Sequence, residues 1–254
     1  MSFTTIAFAE SPAGATEQLI LGVPDQSHRV NGDDIYVGKH NLVIGVYAGG
    51  YAIGSARLSA PSLRRVSSLY IAPLVNDKGG YAQFTTKWLD WRGDSYLPLT
   101  TNEALNAYVT GAVNAAHDAC VGVWLANGPV VPVHGEIWTV YASHAVSAVS
   151  KTWVNTELTW ADDLPVGKYQ IVGARAYMVK GGLFRFVFIG EANRPGGVCV
   201  HEKHLNEDDV QRKGGMGVWG EFDSITPPSV DVLTELAAGD AGGVYMRIDL
   251  IKIG

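Results

Sequence analysis

The sequence predicts an all-β protein built as two tandem jelly-roll sandwiches. Three observations lead there. Short runs rich in Val, Ile, Tyr, Phe and Trp are separated by Gly, Pro, Asn and Asp clusters. A seven-residue segment recurs about half a chain later. The composition is 47% hydrophobic and only 17% charged, against about 25% charged in an average soluble chain. A chain with so little solvated surface is expected to bury much of itself, partly against other subunits.

The elements follow in chain order. Residues 3–9 read as a first strand, turned at Ser11, Pro12, Ala13 and Gly14. No basic region precedes this strand, so no secretion signal is expected, and no run of 18 apolar residues suggests a membrane-spanning helix. Further strands are expected over 18–23, 41–47, 69–75, 119–125, 137–141, 152–160, 169–178, 183–189 and 244–253. Two segments read as helices. The first, 102–117, has Thr101 as N-cap and apolar Leu105, Tyr108, Val109, Val113 and Ala116 at helical spacing. The second, 230–238, has Ser229 as N-cap and stops at Gly239. Strands without alternating helices exclude a doubly wound or (β/α)₈ fold.

The echo sets the domain organisation. Asp33, Asp34, Val37, Gly38 and Lys39 match Asp162, Asp163, Val166, Gly167 and Lys168, a displacement of 129 residues from 33 to 162. At the same displacement Val43 meets Val172, Arg65 meets Arg194, Asp94 meets Asp223, Ser95 meets Ser224 and Pro98 meets Pro227. That makes ten identities over residues 33–98, where average residue usage gives about four. Each half then runs through a Trp (Trp91, Trp219), an Asp-Ser-x-x-Pro turn, a helix and a closing apolar strand. The reading is a duplicated β-sandwich: a jelly roll over 1–127 and another over 128–254, each with one short helix before its last strand. An immunoglobulin-like unit needs only about 100 residues and often shows a Cys–Trp–Cys core, which is missing here.

On these features the chain resembles the double jelly-roll major capsid proteins of tailless icosahedral viruses and bacteriophages. The resemblance rests on two sandwich halves, the helix ahead of each closing strand and the low charge. The segments 164–173, 194–196 and 217–222 look similar to phage-encoded structural proteins. It implies a homotrimer of pseudo-hexameric outline that tiles an icosahedral shell, with possible minor capsid proteins and an internal membrane as further partners. A net charge of −6 and the lack of a basic N-terminal arm argue against direct nucleic-acid binding.

Candidate chemistry is sparse. Cys199, His201, His204 and Glu207 place a sulfur, two imidazoles and a carboxylate within nine residues, a donor set suited to zinc. Against it, Cys199 and His201 share a strand face while His204 falls beyond the strand end, in a charged loop. Neither half carries the His-x-His-x₃₋₄-Glu run of two-domain cupin enzymes. Gly93, Asp94 and Ser95 resemble an esterase nucleophile block, but the Asp-x-x-His partner is missing near the C-terminus, and the duplicate Phe222, Asp223, Ser224 reads as turn chemistry. Arg92, Gly93 and Asp94 spell an adhesion tripeptide that reads as a turn. The Asp33–Asp34 and Asp162–Asp163 pairs read as turn caps, and Asp208–Asp209 as a solvated loop. Trp88, Trp91, Trp153, Trp160 and Trp219 read as core or interface residues rather than a sugar platform. Cys120 and Cys199, each in an apolar run, read as buried free thiols rather than a disulfide. No catalytic residue and no cofactor are expected. The alternative to a shell protein is a tandem carbohydrate- or receptor-binding module.

Overall fold

The computed structural model describes residues 2–11, 13–50, 53–66, 69–71, 87–90, 96–111, 117–145, 147–178, 181–201, 214–239 and 242–254. The first half contributes β1 (Phe3–Glu10), β2 (Gly14–Ile20), β3 (Val30–Asn31), β4 (Asp34–Tyr36), β5 (Leu42–Gly49), β6 (Ile53–Ser59), β7 (Leu69–Tyr70), β8 (Lys87–Asp90), β9 (Leu97–Pro98), β10 (Ala104–Gly111) and β11 (Ala119–Ala126). The second contributes β12 (Trp138–His144), β13 (Val154–Thr156), β14 (Thr159–Trp160), β15 (Lys168–Met178), β16 (Gly182–Val187), β17 (Gly196–His201), β18 (Gly220–Asp223), β19 (Ser229–Thr234) and β20 (Val244–Lys252).

Both halves use one strand order. The first half forms a β1-β11-β5-β8 sheet and a second sheet in which β10 lies between β2 and β6, and β6 pairs with β7. In the second half the corresponding paths are β12-β20-β15-β18 and β13-β19-β16-β17. If the eight principal strands of each half are counted in chain order, the sheets read 1-8-3-6 and 2-7-4-5 both times, the pairing of an eight-stranded jelly roll. In the second half a parallel pairing of β15 with β17 joins the two paths along one edge. The β3–β4 hairpin against β10, β9 against β5 and β14 against β12 are additions outside this scheme.

The third principal strand of each half carries a bulge in the same place. Ile44 is the extra residue of β5 against β11, and Val172 the extra residue of β15 against β20. Aligning the bulges displaces the halves by 128 residues, from 44 to 172, one short of the displacement set by the sequence identities. A bulge kinks a strand and increases its twist, so two matched bulges curve both sandwiches alike.

The two expected helices are strands. Over β10 burial alternates residue by residue, with Leu105, Ala107 and Val109 fully buried, and both edges of the strand are paired. The Leu105–Tyr108–Val109 spacing suits a helix, but the period-2 set containing Ala107 wins because it completes two ladders. Thr101 caps nothing helical: Asn102 adopts φ 67° and makes a turn, a left-handed conformation that Asn tolerates better than most residues. Residues 112–116 of that expected helix lie outside the described residues. In the second half Ser229–Thr234 pairs with β16 on one side and β13 on the other, so Ser229 opens a strand. The β-branched Val230 and Val232 suit a strand packed between two neighbours.

Other boundaries shift modestly. The run expected over 152–160 divides into β13 and β14, and of 69–75 only Leu69 and Tyr70 form a described strand. A strand absent from the expectation, β6, occupies the place matching β16. The one helical turn among the described residues is a 3-10 segment, Pro61–Val66.

Candidate functional site

The most elaborate chemistry among the described residues lies at the seam where the halves meet. β11 is buried along its entire length, and its side chains divide between two cores. Val121, Val123 and Leu125 face the first sandwich, while Cys120, Trp124 and Ala126 join the core of the second half. β1 divides the same way, with Ile6 and Phe8 on one side and Phe3, Ala7 and Ala9 on the other. The β1-β11-β5 sheet is therefore a middle layer, covered on its outer side by β16 and β17. Phe3 meets Trp219 edge-on at 5.3 Å, and the Trp124 indole N–H donates to the Gly196 carbonyl at 2.6 Å. A Cβ on Gly122 would stand 3.0 Å from the Leu183 methyls, so glycine permits the close approach of the two sheets.

Two polar clusters pin this apolar seam. In the first, buried Arg185 of β16 donates to Asp25 at 2.7 Å and to Asp231 at 2.8 Å, and its guanidinium lies 4.2 Å over the Trp153 ring. Burial of Asp25 opposes its ionisation, but His28, 3.6 Å away, and the Arg185 charge outweigh it and hold the carboxyl at about 2. Beside this cluster the Thr5 N–H donates to the Arg194 carbonyl at 2.8 Å, and the Arg194 N–H donates to the Thr4 hydroxyl at 3.1 Å.

In the second cluster the Tyr47 hydroxyl donates to the fully buried Glu235 carboxylate at 2.5 Å. Burial pushes the Glu235 carboxyl up to about 7 despite that bond. The Asp118 N–H donates to the Glu235 carbonyl at 2.8 Å, and the Asp118 carboxylate accepts from Ser11 at 2.6 Å. Lys151 of the second half, at φ 61°, donates to Glu10 of the first at 2.7 Å.

The residues singled out in the sequence fall elsewhere. Cys199 is buried in β17, and both it and Cys120 are free thiols within the seam core. Burial raises the Cys120 thiol well above its usual range, which keeps it protonated and unreactive. His204 and Glu207 lie outside the described residues, as do Asp208–Asp209, Trp91 and residues 92–95, and of His201 only the backbone in β17 is described. Among the described residues no three His, Cys, Asp or Glu side chains converge on a point where a metal would sit. Asp223 bonds local backbone, accepting from the Ile225 N–H, whereas Ser224 accepts from the N–H of Gly167, 57 residues away, both at 3.1 Å. Asp34 accepts from Asn106, while Asp162 and Asp163 are exposed. Trp219 is buried, and Trp153 and Trp160 pack on the same core.

Sequence reasoning missed the seam because its partners lie far apart, by 160 residues for Arg185–Asp25 and 188 for Tyr47–Glu235. A signal existed nonetheless. Arg185 interrupts Leu183, Phe184, Phe186 and Val187, and Asp231 interrupts Val230, Val232 and Leu233. A single charge inside an apolar strand needs a partner.

No family model matches the chain, and no curated protein matches it. Along its length the fold is similar to the major capsid protein P2 from bacteriophage PM2, at 8% identity and a TM-score of 0.25, covering 100% of this chain and 97% of that one. It is also similar to a structure of Sulfolobus turreted icosahedral virus, at 5% identity and a TM-score of 0.25, covering 98% of this chain and 79% of that one. A triple jelly-roll structure from an archaeal virus aligns at 6% identity and a TM-score of 0.25, covering 98% and 78%. Likeness at this level carries no weight by itself, and the jelly-roll assignment stands on the strand order.

Proposed function

We propose that this chain is a non-enzymatic virion shell protein: a jelly roll over 1–127, a second over 128–254, three copies joined in a capsomer of pseudo-hexameric outline, and capsomers tiled into an icosahedral capsid. The observation that carries this reading is the 1-8-3-6 and 2-7-4-5 strand order occurring twice in one chain. The halves are fused face to face through an apolar seam, so each copy is a two-lobed block. Such a block presents sheet faces to neighbours, and closed symmetric assembly buries them. The described polar clusters bond across the seam and between strands, which suits a structural role. In this reading the main partner is the chain itself, with minor capsid proteins and a lipid layer as further neighbours.

Sedimentation and negative-stain microscopy of the expressed protein test this. Trimers or shells support it; a monomer at all concentrations overturns it. One observation favours a second reading, a carbohydrate- or receptor-binding module: exposed Tyr177 and Tyr245 stack at 4.9 Å and 10°, an arrangement suited to a sugar ring. Glycan-dependent binding by a small oligomer, abolished by Tyr245→Ala, would establish that reading instead.

A further inference from the structure

One corner of the seam draws together residues remote in sequence. The first half supplies Glu10 at the end of β1, Tyr47 and Gly49 on β5, Asp118 just before β11 and Cys120 on it. The second half supplies Lys151, Gly181 and Glu235. The Asp118 N–H donates to the Glu235 carbonyl at 2.8 Å, the Glu235 N–H donates to the Gly181 carbonyl at 3.4 Å, and His117 bridges to Leu236. Both cysteines of the chain flank this corner, because Cys199 pairs with Gly182, the residue after Gly181.

Charge does not balance there. Three carboxyl groups, on Glu10, Asp118 and Glu235, share one ammonium, that of Lys151, which donates to Glu10 at 2.7 Å and lies 3.6 Å from Asp118. The Asp118 side chain is 1% exposed, and its second oxygen is buried without a hydrogen-bond partner. Glu235 takes its hydrogen bond from the neutral Tyr47 phenol, and a Cβ on Gly49 would stand 2.2 Å from the same oxygen, so the β5 backbone closes that side. The other titratable groups around it, His117, Cys120 and Cys199, bring no ammonium or guanidinium. With all three acids ionised, the corner would carry two uncompensated charges in a site that excludes water, which is costly. A proton kept on Glu235 halves that excess.

We propose that this corner is a proton-held latch between the halves: protonated Glu235 keeps it shut, and loss of the proton frees the corner and uncovers Cys120 and Cys199 while both sandwiches stay folded. The carboxylate then turns out to water, and the crossing bonds at Asp118 and Tyr47 are released with it. Burial sets the Glu235 carboxyl at about 7, so the latch works close to neutrality. It does not depend on the shell reading, since every group involved belongs to one chain.

Thiol alkylation by iodoacetamide, followed at each cysteine by mass spectrometry, tests the latch at pH 5 and pH 8. Each rate is divided by that of the urea-unfolded chain at the same pH, which removes ordinary thiol ionisation. In the wild type this ratio is expected to rise about tenfold or more from pH 5 to pH 8, because opening releases one proton. Far-UV circular dichroism is expected to keep its strand signal throughout. Glu235→Gln, which has no proton to lose, is expected to hold the same ratio at both values, and Glu235→Met replaces it if that variant melts early. A wild-type ratio that stays flat overturns the latch, and so does an equal rise in the Glu235 variant. Loss of the strand signal together with thiol exposure also overturns it, because the whole chain would then be unfolding. The size of the assembled particle plays no part in any of these readings, so the shell reading stands or falls separately.

Discussion

Tyr47 and Glu235, 188 residues apart, meet at the seam through a 2.5 Å hydrogen bond from the phenol to the carboxylate of a buried residue. Tyr47 and Gly49 on β5 and Cys120 on β11 lie beside this carboxylate, while Asp118 and Gly181 bond the Glu235 backbone. None of these is a cation, so the site favours the protonated acid.

Stability is therefore expected to fall as pH rises across this site. The folded protein holds the Glu235 proton up to about pH 7, whereas the unfolded chain releases it near the ordinary glutamate value of 4.5. The contribution is fully present below about 4.5 and lost as pH passes through 7, worth on the order of 3 kcal/mol. Urea denaturation at pH 5 and pH 8 should show this loss, and Glu235→Gln, neutral at both values, should remove most of it.

Gly49→Ala tests the same contact sterically. A Cβ there would stand 2.1 Å from the Tyr47 hydroxyl and 2.2 Å from the Glu235 carboxylate, so the two must separate. A loss of about 1–3 kcal/mol is expected, together with a weaker pH dependence than in the parent. Unchanged denaturation midpoints would contradict the close packing.

Arg185 bridges two carboxylates in a buried site, so removing it leaves Asp231 without that guanidinium and Asp25 with His28 alone. Arg185→Leu should cost about 3–5 kcal/mol. Arg185→Lys should recover only part, because one ammonium lacks the planar fork that reaches both acids. Asp25 adds an acid-side signature: its carboxyl is held at about 2, so in the wild type its stabilisation is present above the ordinary aspartate value of 3.8 and lost as pH falls through 2. That acid-side loss should be smaller in Arg185→Leu but not abolished, because the bond from His28 also holds the Asp25 carboxyl down.

Ala107 lies at the centre of the ladders that β10 makes. Its position has ladder partners on both sides, Leu58 and Ile20. Ala107→Pro removes a ladder donor from an interior strand, where proline is essentially not found. No cooperative thermal transition is expected for this variant by circular dichroism.

Much of the fold was legible from local pattern. The apolar runs at β1, β5, β11, β15 and β20 announced strands. The Asp33–Lys39 echo announced two like halves, although it falls on β4 in the first half and on the loop ahead of β15 in the second. β10 and β19 were misread since a three-four spacing of apolar residues also arises within an alternating strand once Ala is counted as apolar. Burial on both faces of β11 was visible as an unbroken apolar run, but what covers the outer face depends on contacts between distant segments. The same holds for Arg185, Asp25, Tyr47 and Glu235, whose pairing no sequence spacing encodes.

Each sandwich is sealed by its first strand pairing with its last, β1 with β11 and β12 with β20. A chain emerging from the ribosome cannot close the first sandwich until residue 126 is out, and Phe3, Ala7 and Trp124 then face water until the second sandwich arrives to cover them. Non-local pairing of this kind is slow, and uncovered apolar sheet surface invites aggregation in the interval. The protein's greatest exposure to misassembly thus falls in the interval between its two closures.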